Sequence, residues 1–133
     1  MNTKFVTTIC AVFLGLIGVL LTFAPQEVSS FFNLNFNKTV LIMLQVIGAL
    51  YFSFAMLNWM IRGGVIGGIY NKPAVTANFT HFFIVAMALI KSIMSDHSIH
   101  FVFWILAVVY IVFAALYGFI LQRHPGSIDK KSN

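Results

Sequence analysis

The chain has 133 residues, of which 60% are apolar and only 8% charged. Soluble domains carry about a quarter charged residues and somewhat under half apolar ones, so this composition excludes a soluble fold, and it equally excludes a disordered chain. The net charge of +5 would point to nucleic acid in a soluble protein; here the basic residues flank apolar runs, which points to lipid headgroups and topology, with no nucleic-acid partner.

Four apolar runs follow one another along the chain, at residues 5–24, 40–61, 74–95 and 101–121. Each is about 20 residues long, enough to cross roughly 30 Å of hydrocarbon as a helix. The runs are continuous rather than alternating, which argues against a β-barrel. The only charged residue inside them is Lys91, near the end of the third.

The first run follows Lys4 and ends at Thr22-Phe23-Ala24, loosely like a cleavable signal. Pro25 stands where cleavage would leave the new terminus, and the run is longer than a signal core, so it is read as a retained span. Residues 25–39 place Val28, Phe31, Phe32 and Phe36 at helical spacing, the pattern of a short helix lying in the interface. After the second run, residues 62–73 form a glycine-rich turn, and Pro73 suits the first turn of the third helix. Residues 96–100 read as a tight hairpin. The tail after Arg123 is polar and is expected to be disordered.

Placing residues at about 100° per position separates two faces on each span. The first span has Thr7, Ala11, Gly15, Gly18 and Thr22 along one stripe. The second has Gln45, Gly48, Tyr51, Phe52, Ala55, Asn58, Trp59 and Arg62. The third sets Ala74, Asn78, His81, Ala88 and Ser92 opposite Phe79, Phe82, Phe83, Met87 and Ile90. The fourth carries Ala107, Tyr110, Ala114, Tyr117 and Gly118. Small residues let helix backbones approach, and polar side chains need partners away from lipid, so the small and polar stripes are expected to face inward. The expectation is an all-α fold: an integral membrane antiparallel four-helix bundle, with residues 1–133 as a single four-span domain.

Charge sets the expected orientation. With the N-terminus inside, Lys4, Arg62, Lys72, Arg123, Lys130 and Lys131 lie on the inner side, against Lys38 and Lys91 outside. That bias places both termini in the cytoplasm.

Depth singles out one region. Asn58 and Arg62 lie one turn apart at the end of the second span, and Asn78 and His81 lie early in the third. With Trp59 and Tyr70 these residues are expected to share an inner-leaflet polar pocket for a lipid or an anionic lipophile. Arg62 has no carboxylate nearby in sequence, so it either snorkels to phosphate or holds an anion. A histidine inside a span is uncommon; His81 is either a hydrogen-bonded packing residue or a functional one. Gln45 reads as an interhelical hydrogen bond. Asp96, His97 and His100 could in principle hold a metal, but an ordinary polar hairpin is the simpler reading.

Several classes of chemistry lack their residues. No span holds Asp or Glu, which weakens an ion-coupled transporter and removes paired-carboxylate catalysis. Cys10 is the only cysteine, so no intrachain disulfide or cysteine metal site can form. No nucleotide fingerprint is present. No metal or cofactor is expected, and an enzyme would require His81, Tyr70 and Arg62 to act on a lipid-soluble substrate.

The layout resembles small bacterial four-helix membrane proteins of the DoxX-like kind. The shared features are a first helix ending near Pro25 and a second opening with Leu44-Gln45-Val46-Ile47-Gly48-Ala49-Leu50-Tyr51. It is also similar to the ergosterol-biosynthesis scaffold family, through the Leu44-Gln45 and His81-Phe82 pairs. The segment from Asn58 to Gly64 has no counterpart in either. The resemblance implies a bacterial cytoplasmic (inner) membrane location and a tethering role, and transfers no active site. The reading is therefore a non-enzymatic accessory or scaffold protein, or a lipid- or lipophile-binding protein. Its partners would be membrane lipids, other membrane proteins or further copies of itself. The alternative is an oligomeric channel or carrier for a small solute.

Overall fold

In the computed structural model, residues 2–34, 37–64 and 70–122 are described. The fold is all-α, as the apolar runs imply. The helices are α1 (Thr3–Phe23), α2 (Pro25–Phe31), α3 (Lys38–Ile61), α4 (Lys72–Ser95) and α5 (Phe101–Gln122). All but α2 are long and apolar enough to cross a membrane, which makes this a multi-pass membrane protein. Each spanning helix begins and ends within two residues of its apolar run.

The helix ends are marked by their side chains. The Asn2 and Asn37 side chains accept from Phe5 N–H (3.3 Å) and Val40 N–H (2.8 Å), each satisfying a donor that a helix start leaves open. Pro73 stands in the first turn of α4, as expected. At α5, His100 Nδ1 accepts from Val102 N–H at 3.4 Å. A short helix is present in the segment where one was expected, as α2, and is confined to seven residues. It stops because Asn33 turns left-handed, with φ of 53°. Leu34 N–H then donates to Ser29 O (2.9 Å) and Asn33 N–H to Ser30 O (3.1 Å), the two bonds of a Schellman ending. Phe36, the Gly67-Gly68 pair and the tail from Arg123 lie outside the described residues.

The chain divides into two compact units, Met1–Gly63 and Gly64–Asn133. In the first, α1 and α3 run antiparallel and very close. A Cβ added to Gly18 would sit 2.7 Å from Phe52 N and 2.9 Å from Gly48 O. One added to Gly48 would meet Thr22 Oγ1 at 2.5 Å and Thr22 N at 2.8 Å. Backbone lies against backbone here, so these glycines cannot be replaced without parting the helices. Gln45 Nε2 spans the pair and donates to Thr22 O at 3.4 Å, the interhelical bond expected of it.

In the second unit, α4 and α5 pack through aromatic rings. Phe82 is fully buried and stacks on Phe113 (centroids 4.8 Å, 24° between planes) and Tyr117 (5.8 Å, 14°), with Tyr110 edge-on at 5.2 Å. This corrects the face assigned to α4. Phe82 was expected in lipid, whereas Ala88 and Ser92, expected inside, are exposed. The buried line is Val75, Asn78, Phe82, Ala86 and Ile93. The rings that receive Phe82 are Tyr110, Phe113 and Tyr117 on α5, so bulk is met by bulk across this pair. Elsewhere the stripes hold in part. Thr7, Ala11 and Gly18 are buried on α1 and Gly48, Ala55 and Asn58 on α3, and Ala107, Tyr110, Ala114 and Tyr117 on α5. Gln45, Phe52 and Trp59 are exposed, and Cys10 and Leu14 are buried without having been assigned inward.

Gly18→Ala should destabilise the protein by about 1–3 kcal/mol, the usual cost of overpacking a close contact. Val108→Leu, at a position 62% exposed, should unfold within experimental error of the parent. Thermal unfolding in detergent compares them, and equal midpoints for the two variants would contradict the α1–α3 contact.

Candidate functional site

The residues singled out by sequence divide between the two units. Asn58, Trp59 and Arg62 occupy the last turns of α3, in Met1–Gly63; Tyr70, Asn78 and His81 belong to Gly64–Asn133.

At the end of α3, Arg62 follows Trp59 by three residues, which puts both on one side of the helix. The guanidinium carbon lies 3.2 Å from the centroid of the Trp59 ring, a cation–π stack. Arg62 is the C-cap residue and keeps helical backbone angles, and a cation is favoured at this negative end of the helix dipole. Among the described residues its Nη1 has no hydrogen-bond partner although the atom is buried. Trp59 holds one face of the guanidinium, and no described residue takes the Nη1 donor at its edge. A Cβ on Gly63 would meet no described residue within 4 Å.

Asn58 lies one turn deeper and is fully buried. Its Nδ2 donates to Phe54 O at 2.8 Å, on its own helix. Asn78 repeats this on α4, where Nδ2 donates to Ala74 O at 2.8 Å. Each asparagine thus secures its amide on the turn before it. The half-buried His81 ring lies among aromatic rings, 5.2 Å from Phe82 and 5.8 Å from Tyr110. Tyr70 is 97% exposed, just ahead of α4.

The α4–α5 hairpin is closed by Asp96, whose Oδ1 accepts from Ser98 N–H (2.8 Å) and from the Ser98 hydroxyl (2.7 Å). These two bonds, the hydroxyl's first, hold the Asp96 carboxyl below its ordinary pKa. Among the described residues no three His, Cys, Asp or Glu side chains gather closely enough to hold a metal ion.

Sequence reasoning missed Phe82 as the centre of the second unit, because bulk was taken as a mark of the lipid face. It also missed the Trp59–Arg62 stack as a contact, although the three-residue spacing of an indole and a guanidinium near a span end was a readable signal. No known protein family, curated protein or solved structure was found to match the chain.

Proposed function

We propose that this protein is a non-enzymatic membrane protein that holds an anionic lipid headgroup, or an anionic lipophile, at the C-terminal end of α3. The Arg62 guanidinium over Trp59, with a donor that no described residue takes, carries this reading. A guanidinium binds phosphate or carboxylate through two parallel hydrogen bonds, which an ammonium cannot do. The indole restricts the guanidinium before the ligand arrives, so less rotational freedom is lost on binding. Tryptophan and arginine at a span end also match the composition of a membrane interface. The wider role is that of an accessory or scaffold subunit, for which bound lipid would fix the protein's depth and partners in the bilayer.

In the same reading the protein lies in a bacterial cytoplasmic membrane with both termini inside, supported by the excess of basic residues on that side. Cysteines introduced one at a time at Asn2 and Asn33, in a Cys10→Ser background, test this with an impermeant thiol reagent on intact cells. Asn33→Cys should label and Asn2→Cys should not; the reverse pattern contradicts the orientation.

Native mass spectrometry tests the site. Arg62→Ala should retain about tenfold less anionic lipid than the parent, as expected for the loss of charged hydrogen bonds. Arg62→Lys should fall closer to Arg62→Ala than to the parent. Equal retention in all three would leave Arg62 a packing residue and remove the site.

A further inference from the structure

A second surface feature, independent of Arg62, lies on Gly64–Asn133. Three hollows adjoin along α4 and α5 and meet at Ile90. One lies between the two helices, with a volume of about 520 Å³, and is walled by Phe79, Phe83, Met87, Ile111 and Ala115. Phe79 and Phe83 stack at 5.6 Å and form a flat side to it. The next, about 560 Å³, runs from Met87 past Lys91 to Met94 and Ser95. The third, about 330 Å³, is lined by Met94, His97 and Trp104. The two larger volumes are those of small-molecule sites, which are mostly apolar with a few placed polar groups.

The polar group here is Lys91. It is exposed, and it is the only charged residue within the apolar stretch of α4. Its natural neutraliser would be Asp96, the one carboxylate among the described residues of this unit. Both Asp96 bonds at Oδ1 go to Ser98 within the hairpin. From Lys91 to Phe79 is twelve residues, or about 18 Å of helix, close to the ~15 Å depth of one leaflet. An apolar furrow one acyl chain long therefore ends at a cation one turn inside the helix end.

We propose that this furrow binds an anionic phospholipid of the bilayer, its acyl chain lying along Phe79, Phe83 and Met87 and its phosphate at the Lys91 ammonium. The occupant is chosen by charge and shape together. A zwitterionic lipid would bring its own headgroup cation to Lys91 along with its phosphate, an anionic one brings net negative charge, and a soluble anion would leave the furrow unfilled. The flexible thioethers of Met87 and Met94 fit chains of varied length and unsaturation. The site does not rest on the Arg62 reading, and the two can fail separately.

The protein has two tryptophans. In Trp59→Phe protein, Trp104 is the sole reporter, and it lines the hollow that shares Ile90 and Met94 with the one lined by Lys91. Phospholipids brominated near the top of the acyl chain quench indole fluorescence on contact. Reconstituted with phosphatidylcholine, the protein should show roughly fivefold preference for brominated phosphatidylglycerol over brominated phosphatidylcholine, the gain expected from one lysine near the membrane surface. Lys91→Gln should abolish the preference and Lys91→Arg should keep it. Equal quenching by the two lipids, or a preference that survives Lys91→Gln, overturns the proposal. So does the absence of quenching by either lipid, since the furrow would then be covered by protein.

Discussion

Hydrocarbon offers no hydrogen-bond partner, and most of this structure follows from that constraint. A backbone that crosses lipid must satisfy itself, so the apolar runs become helices. The polar side chains within those helices obey the same rule. Thr7, Thr8, Ser53, Asn58, Thr76, Asn78 and Ser95 each donate to a carbonyl three or four residues earlier on their own helix. Such bonds let a polar residue be carried through the membrane without a second helix to receive it. The groups that are not returned to their own backbone are then the informative ones, and Arg62 and Lys91 are the two cations that stand out.

The two units solve helix association in different ways. Without a hydrophobic gain from leaving lipid for protein, contact itself must hold the helices together. In Met1–Gly63 this is done by removing side chains: Gly18, Gly48, Gly15 and Ala55 let two backbones touch, and Gln45 adds a bond across the pair. In Gly64–Asn133 it is done by stacking rings, with Phe82 at the centre against Phe113 and Tyr117. Dispersion is summed over many atoms in both cases, over backbone in one and over aromatic faces in the other. The aromatic packing leaves a furrow between α4 and α5, where Gly118 lies beneath Phe79.

Element type and position were legible because hydropathy alone dictates them in a membrane. The four spans, the proline at the start of α4 and the Gln45 bond could all be read from residues. The faces were harder. In water the buried side of a helix is the apolar one, but in lipid both sides are apolar and size must decide. Size decided correctly for Gly18 and Gly48, where two small residues face each other. It failed for Phe82, because whether a large ring packs inside depends on the residues opposite it, and those lie on another helix. The amide nitrogens of Asn58 and Asn78 each reach their own preceding turn, a bond that the spacing alone does not announce. At the candidate site, the positions of Arg62 and Trp59 were legible and their stacking was not, since it depends on side-chain rotamers.

The close antiparallel meeting of α1 and α3 underlies the account of the first unit, including the position of the helix end that carries Arg62. A Cβ on Gly15 would lie 3.6 Å from Ala55 Cβ, within the roughly 3.5–4.5 Å that a disulfide requires. Gly15→Cys with Ala55→Cys, in a Cys10→Ser background, tests that contact in the native membrane. Mild oxidation should cross-link this pair nearly completely, and should leave Leu16→Cys with Ala55→Cys largely unlinked, because Leu16 is 63% exposed. Failure of the first pair to cross-link, or equal cross-linking of both, would contradict the account.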